Sequence, residues 1–516
     1  MAPIAHLFPA NCVGLRRSCK GLELTCGILR VSYCRCEEGS RMNAKALILA
    51  AGAGTRMKSE KPKVAHEVLG KPLVRWVVDA AHDAGISDVI SVLGHMSEKV
   101  APLVESDTQI VIQTQQLGTG DAVNAAREAM TCEDGSIAEG SLVVLSGDCP
   151  LITPETISAL VAKREQTNAA VVVLTMKMDD PFGYGRIVRE GEGDSVARIV
   201  EQKDATPEEA SINECNAGFY CFDAPALFDA LSRITNDNAQ GEYYLTDVLE
   251  ICRNDGRDVL ALVTDDAEEA MGVNSRIQLS QASVAMQHRI NQRHMAAGVT
   301  MWDPSTVWIG PYVKIENDVE LLPMTFLMGK TSVGRDSVIG PNTRLTDTVV
   351  GRGCRIDETV AEDARLDDRA TSGPRAYLRP GTHLCEGAKA GTHVEIKKST
   401  IGAGSKVPHL SYIGDTTMGS GVNIGAGSIT CNYDGVSKHA TVIGDDVFVG
   451  SDSMLVAPVT IGEGAIIGAA SCITRDVEAD ALALERAEQR QIPGWASKHM
   501  AKLRDKKAQA QQAKAE

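Results

Sequence analysis

Residues 443–473 read IGDDVFVGSDSMLVAPVTIGEGAIIGAASCI, and an aliphatic residue returns in them every six positions: Ile443, Val449, Leu455, Ile461, Ile467 and Ile473. A helix repeats near 3.6 residues and a strand at 2, so a strict six signals neither alone. It suits a triangular coil of three short strands, with one aliphatic per side pointing inward and small residues turning the corners. Gly follows the inward residue at Ile443-Gly444, Val449-Gly450 and Ile461-Gly462. Further upstream the same interval joins Ile309, Ile315, Leu321, Leu327, Val333, Ile339 and Leu345. Between the two runs the period reads as irregular. Each coil leaves apolar ends bare until another stacks on it, so such arrays are long. Residues 300–480 are therefore expected to form a parallel β-helix of hexapeptide repeats.

The sequence before it has a different grain. Residues 277–297 contain neither Gly nor Pro and read as one helix of about 30 Å, ending at Gly298. The connector is set at 274–299. From 44 to 273, apolar runs at Ala44–Ala50, Val89–Leu93, Gln109–Gln113, Leu142–Leu145 and Ala169–Leu174 alternate with helical patterns at Leu73–Ala84 and around Asp121–Met130. That alternation predicts an α/β domain with a mostly parallel sheet over 42–273. Such sheets bind ligands at the carboxyl ends of their strands.

At 516 residues the chain has room for two to four domains of roughly 150 residues. The net charge is −16, which argues against nucleic acid or an anionic membrane surface as partner. No run reaches the ~20 apolar residues of a membrane span, so no membrane insertion is expected. Of 14 cysteines, five (Cys12, Cys19, Cys26, Cys34 and Cys36) crowd the first 36 residues. The others are scattered in apolar or Gly-rich settings and read as small buried hydrophobes in a reducing, cytoplasmic setting. Residues 1–41 lack periodicity and any apolar run of signal-peptide length, and Met42 stands just before the first strand. The expectation is a disordered extension, or one translated from an upstream start. Residues 481–516 are rich in Lys, Ala and Gln past Trp495 and read as a solvated helix or tail.

Chemistry gathers where the strands end. Ala44–Ala50 runs into Ala51-Gly52-Ala53-Gly54-Thr55-Arg56-Met57, followed by Lys61-Pro62-Lys63-Val64. A Gly-rich turn exposes backbone N–H groups to phosphates, and two cations beside it suit a polyphosphate being cleaved. Gln113 and Gln116-Leu117-Gly118-Thr119-Gly120 follow one strand, and Ser146-Gly147-Asp148-Cys149-Pro150 another. Gly183-Tyr184-Gly185-Arg186, Glu201-Gln202-Lys203-Asp204, Asn216-Ala217-Gly218, NDNAQGEYYLTD at 236–247 and Gly272-Val273-Asn274 come after. In the repeat domain, Leu378-Arg379-Pro380-Gly381, Val394-Glu395-Ile396-Lys397-Lys398 and Pro408-His409-Leu410-Ser411-Tyr412 place charges and a lone imidazole among the aliphatics. A His, with an ordinary pKa of ~6.5, is the side chain best suited to act as a base near neutral pH. Asn423-Ile424-Gly425-Ala426-Gly427 and Thr430-Cys431-Asn432-Tyr433-Asp434-Gly435 follow.

LAAGAGTRM with PKV resembles the signature of sugar-1-phosphate nucleotidyltransferases. The blocks in order over 44–495 resemble the bifunctional N-acetylglucosamine-1-phosphate uridylyltransferase / glucosamine-1-phosphate acetyltransferase family. The resemblance implies a Rossmann-like nucleotidyltransferase domain followed by a left-handed parallel β-helix, the latter assembling as a homotrimer. It implies Leu49, Ala50, Ala51, Gly52, Gln113, Gly118 and Thr119 around the nucleotide of UTP, with Arg56 and Lys63 neutralising the triphosphate. Ser146 and Gly147 lead to Asp148, which with Asn274 would hold Mg²⁺. Gly185, Glu201 and Asn216 would contact the amino sugar. In the second domain it implies His409 as catalytic base, with Arg379, Lys397, Tyr412 and Asn423 on glucosamine 1-phosphate. Ala426, Asn432, Tyr433, Ser451, Ala469 and Arg486 would contact acetyl-CoA, the last within a cofactor-proximal segment from 481. This sequence departs from the family pattern at Ser146, where Tyr is common, at Thr392-His393 before Val394-Glu395, and at Pro408.

The implied function is two consecutive steps of UDP-N-acetylglucosamine synthesis: acetylation of glucosamine 1-phosphate, then uridylylation. The alternative is a monofunctional sugar-1-phosphate nucleotidyltransferase with a non-catalytic, trimerising β-helix. A third reading is a catalytically dead assembly subunit, against which Asp148, Arg56 and Lys63 speak.

Overall fold

The structure is a computed structural model that describes residues 43–512 except 53 and 192. The expectations for residues 1–41 lie outside the described residues. The first domain is built on strands β1 (Ala44–Ala50), β2 (Asp88–Leu93), β3 (Gln109–Ile112), β4 (Ser141–Ser146), β5 (Val171–Lys177), β6 (Arg186–Arg189), β7 (Val196–Val200), β8 (Glu214–Asp223) and β9 (Val259–Thr264). The main sheet runs in the order β9-β5-β8-β4-β1-β2-β3. Most neighbours are parallel, but β8 lies antiparallel between β4 and β5, and β6–β7 form a hairpin hung from β8. Neither feature shows in the pattern of apolar runs, because a central strand buried on both faces looks alike in either direction.

Helix α1 (Leu73–Asp83) covers the sheet with Leu73, Val74, Val77 and Val78, all fully buried. The helix expected around 121–130 is instead α2 (Thr119–Ala125) followed by a separate 3₁₀ turn at Glu128–Met130. The turn after β1 does not open an α-helix either. It makes two 3₁₀ turns, Thr55–Met57 and Lys63–Ala65, which hold Arg56 and Lys63 near the strand ends. Helix α3 (Arg276–Ala296) is the expected connector; the Ser275 hydroxyl accepts from the Gln278 N–H at its start.

From Thr300 onward, thirty short strands form three parallel sheets of eleven, ten and nine. Each strand pairs with those one coil before and after it, the signature of a β-helix. The last strand of the first face is Leu482–Ala483, two residues past the expected end at 480. Helix α4 (Trp495–Gln512) follows and is exposed along its described side chains, the solvated helix expected.

The middle of the repeat is where the sequence reading needs correction. The coil is not interrupted: Val350, Ile356, Ala361, Leu366, Ser372, Leu378, Leu384, Ala390, Ile396, Ile401, Val407, Ile413, Met418, Ile424 and Thr430 continue the buried inward row. Some corners drop one residue, and Ala, Ser or Thr stands at four inward positions, so a search for aliphatics every six residues loses the row. The single long excursion is the loop at 432–440, between Thr430 and Ile443. The charged residues do not break the coil; they point away from it. Corners also differ from expectation. Many are made not by small residues but by Asp in the left-handed region, as at Asp318, Asp336, Asp363 and Asp452, where a short polar side chain tolerates positive φ. Buried hydroxyls satisfy corner carbonyls: Thr331 Oγ1 donates to Met328 O at 2.7 Å and Ser453 Oγ to Gly450 O at 2.7 Å.

Candidate active sites in two domains

The first candidate site lies at the carboxyl ends of β1, β3 and β4. Gly147 N–H donates to Leu49 O at 2.9 Å, tying the end of β4 to β1, so that Asp148 emerges beside the Gly-rich turn. Val273 N–H donates to Asp148 O at 2.9 Å, and Asn274 N–H to Gln278 Oε1 of α3 at 2.9 Å. These bonds bring Asn274 and Asp148 together although 126 positions separate them in the chain. Lys63 Nζ lies 2.5 Å from Asp148 Oδ2 and 3.0 Å from Asn274 Oδ1. Arg56 donates to the same Asn274 oxygen at 3.0 Å. Lys63 and Asp148 are 15% and 16% exposed, so the pair is partly shielded from water yet open to a ligand. Gly54, at φ 62, is required here: a Cβ would stand 2.5 Å from Lys63 Cβ.

These two oxygens, one carboxylate and one amide, already share a cation in the Lys63 ammonium. Hard oxygen donors in that number suit a divalent ion that keeps waters and takes phosphate oxygens for its remaining positions. The donor set fits the metal the sequence implied.

Beside it an open cavity of about 290 Å³ is lined by Leu49, Ala51, Gly52, Gln113, Gly118 and Thr119, six of the residues expected around the nucleotide. Ala50 is buried in the strand behind them. Gln116 and Glu242, which were not assigned a role, also line it. Gln116 donates to Ala51 O at 3.0 Å, and the Gln113 amide donates to Asp121 at 2.7 Å, fixing its orientation. Glu242 comes from a loop more than a hundred residues on, which no local pattern links to the first turn. Gly118 has φ 124, and a Cβ there would fall 2.5 Å from Tyr243 O. Gly118→Ala is therefore expected to push the 117–120 turn off Tyr243 and weaken nucleotide binding at least about tenfold, at ~1.4 kcal/mol per decade. Isothermal titration with nucleotide reads it; unchanged affinity would refute the placement.

Towards β6–β8, Gly185, Glu201 and Asn216 converge: a Cβ on Gly185 would be 3.5 Å from both Asn216 Cβ and Glu201 Oε1. Burial, opposed by a hydrogen bond from Thr246 and aided by Asp204 and Asp247, raises the Glu201 carboxyl above its ordinary range. Burial also pushes Asp247 up to about 6, with Glu250 and Asp204 adding to it. The Asn216 amide is engaged by Tyr220 OH at 2.7 Å and by Gly218 N–H at 2.9 Å. It thereby holds the irregularity in β8 between Asn216 and Tyr220. Ser146 Oγ faces Gly218.

The second site follows from strand register. Lys406 pairs with Asn423, Ile424 with Val449, and Val449 in turn with Ile467, so positions two past the inward residue stack on one another. His409, Ala426, Ser451 and Ala469 thus form one column along a corner of the β-helix, with Thr392 paired to His409 one coil before. Arg486 donates to Ala469 O at 3.2 Å at the far end. His409 is exposed. On the adjacent face, Glu395 pairs with Tyr412 and Lys397 with Gly414. Arg379 is held by Glu395 at 2.8 Å. Asn432 donates to Asp415 at 2.5 Å and to Tyr412 OH at 3.4 Å, which anchors the start of the 432–440 loop.

That loop supplies a cation that was missed. Lys438 Nζ lies 5.6 Å from the centre of the Tyr433 ring, and its charge is the main cause lowering the Lys397 pKa. Two ammonium groups this close suit an anion between them. Lys438 sits in a loop outside the repeat, so no spacing signalled it. No helix among the described residues is long and apolar enough to cross a membrane, and the nine described cysteines are free.

Fold and sites together define a nucleotidyltransferase joined in one chain to a hexapeptide-repeat transferase. Residues 46–246 match the MobA-like NTP transferase domain, and 440–475 match six bacterial transferase hexapeptide repeats. The chain is 50% identical over 442 residues to the bifunctional protein GlmU of Heliobacterium modesticaldum, covering 86% of this chain and 95% of that protein. It is 48% identical to the GlmU of Caldanaerobacter subterraneus, with 89% and 99% covered, and 48% to that of Streptomyces coelicolor, with 88% and 94% covered. The chain belongs to the GlmU family of bifunctional enzymes. Its activities are those of UDP-N-acetylglucosamine diphosphorylase and glucosamine-1-phosphate N-acetyltransferase, and the monofunctional alternative falls away.

Proposed function

We propose that acetylation comes first, at the corner column of the β-helix, and that uridylylation follows at the strand ends of the first domain. The observation that carries the two-step reading is the pairing of an exposed imidazole at one anion-binding centre with a carboxylate–amide–ammonium cluster at the other. In the first step His409 takes the proton from the amine of glucosamine 1-phosphate as it attacks the thioester carbonyl of acetyl-CoA, and CoA leaves as the thiol. Arg379 and Lys397, joined by Lys438, neutralise the sugar phosphate; Tyr412 and Asn423 line the sugar. Acetyl-CoA extends along Ala426, Ser451 and Ala469 towards Arg486, with Asn432 and Tyr433 at its acyl end.

In the second step a phosphate oxygen of N-acetylglucosamine 1-phosphate attacks the α-phosphorus of UTP in line, and pyrophosphate departs. Asp148 and Asn274 would hold Mg²⁺, which when bound would offset charge on the phosphates. Lys63 and Arg56 meet the developing negative charge. Leu49–Gly52, Gln113, Gly118 and Thr119 fix the base and ribose, and Gly185, Glu201 and Asn216 the sugar. No protein nucleophile is needed, so positioning carries much of the rate.

We place the enzyme in the cytoplasm as a homotrimer. Phe448, Ile466 and Leu482 stack outward in successive coils of one face and are exposed, an apolar stripe that a neighbouring copy would cover. Incubation with glucosamine 1-phosphate, acetyl-CoA and UTP, omitting each in turn, tests the scheme. CoA thiol is expected without UTP, and pyrophosphate only when acetyl-CoA or preformed N-acetylglucosamine 1-phosphate is present. Pyrophosphate from unacetylated sugar phosphate alone at a similar rate would overturn the order.

A further inference from the structure

The corner that follows the third face of the β-helix carries glycine at most rungs: Gly334, Gly351, Gly402, Gly419, Gly444 and Gly462, each one past an inward residue. Strand register stacks these positions directly, from Val333 and Val350 through Leu366, Leu384, Ile401 and Met418 to Ile443 and Ile461. Glycine is there because the coils approach closely; a Cβ on Gly402 would lie 2.1 Å from Gly419 O and one on Gly462 2.4 Å from Ala479 N. Three of the nine rungs depart from the rule: the first carries Glu316, and two neighbouring ones in the middle carry Asp367 and Cys385. The residue before Cys385's inward neighbour is His383, whose Nε2 lies 2.7 Å from Asp367 Oδ2. Among the described residues, Asp367, His383 and Cys385 are the one group of three His, Cys, Asp or Glu side chains whose ligand atoms all lie within 4.8 Å of one another.

We propose that Asp367, His383 and Cys385 form a zinc-binding site on the wall of the β-helix, separate from both catalytic centres. Ligands about 2.0–2.3 Å from a tetrahedral zinc stand roughly 3.3–3.8 Å apart, within a rotamer adjustment of the present spacing. A thiolate with an imidazole selects zinc over the hard cations, which take oxygen alone. The third protein ligand leaves a fourth position for water or a substrate oxygen. Asp367 Oδ1 accepts from Arg365 Nε at 2.8 Å, leaving Oδ2 for the metal. Arg365 is itself exposed. The backbone is rigid on both sides: Asp367 N–H donates to Leu384 O at 2.8 Å and Cys385 N–H to Ile401 O at 2.9 Å. A surface His–Asp pair alone contributes little and gives no reason for a thiol at a glycine rung.

The test uses Co²⁺ in the full-length, chelator-stripped protein, because a cobalt–thiolate bond gives a charge-transfer band that oxygen-only sites lack. One equivalent is expected to produce the band, and Zn²⁺ to displace it. Cys385→Ser is expected to abolish the band and His383→Ala to weaken binding at least tenfold. Cys149→Ser, near Asp148 in the first domain, is expected to leave the band in place. No band in folded protein, or one that survives Cys385→Ser, overturns the proposal; survival would assign the thiolate to another of the chain's cysteines, such as the exposed Cys132 or Cys472. Zinc-dependent thermal stabilisation, present in the unsubstituted protein and absent from His383→Ala, checks the site without relying on the serine variant's folding.

Discussion

Replacing Asp148 by Asn is expected to lower pyrophosphate release at least about 10³-fold, while CoA release continues at its ordinary rate. The substitution keeps shape and one oxygen but removes the charge that Lys63 meets at 2.5 Å. Metal-assisted charge stabilisation is worth several kcal/mol, and each ~1.36 kcal/mol is a decade in rate. Asn274 alone, a neutral amide, cannot replace it. Raising Mg²⁺ should recover part of the loss, since the defect is in affinity for the ion as well as in the field it creates. Measuring pyrophosphate and CoA thiol in the same preparation separates this from misfolding; parallel loss of both would refute the assignment.

His409→Ala is expected to have the mirror effect. General-base assistance contributes about 10²–10⁴-fold, and the exposed imidazole has no structural duty that its loss would upset. Uridylyl transfer to preformed N-acetylglucosamine 1-phosphate should be unchanged, because His409 lies in the β-helix and the first site is built from residues 49–274. A variant that lost acetyl transfer by less than tenfold would move the base elsewhere on the column.

Much of the architecture could be read before any coordinates. The ends of the hexad run, where inward residues are aliphatic and evenly spaced, fix a β-helix. Its middle was obscured by Ala361, Ser372, Ala390 and Thr430 at inward positions and by corners one residue short. A second mark was present: a buried small or β-branched residue stands two residues ahead of each inward one, Ser or Thr in about half the cases, as at Thr382 before Leu384, Ser399 before Ile401 and Ser411 before Ile413, and Ala or Val in most others, as at Ala370 before Ser372 and Val394 before Ile396. Where the residue is Ser or Thr, its hydroxyl bonds a corner carbonyl, as Thr382 does to Arg379 O. In the first domain, Lys63 was singled out as a cation beside the Gly-rich turn, Asp148 by its place after an apolar run and Asn274 by family resemblance, and the fold brings them within hydrogen-bonding distance. Gln116, Glu242 and Lys438 went unassigned because each acts through loop approach, which sequence separation hides. The antiparallel placement of β8 was equally hidden, since burial on both faces erases direction.

Because each turn of the β-helix advances by one strand spacing of roughly 4.8 Å, the span from His409 to Ala469 is three such increments, about 14 Å. That distance comes in whole numbers of turns and cannot be stretched by a fraction. Excising or duplicating one complete turn within it would preserve the prism and its core yet change the reach by a full increment, leaving a thioester presented too near or too far from the imidazole. The prism is in effect a graduated scale, and the acyl carrier must match one of its marks.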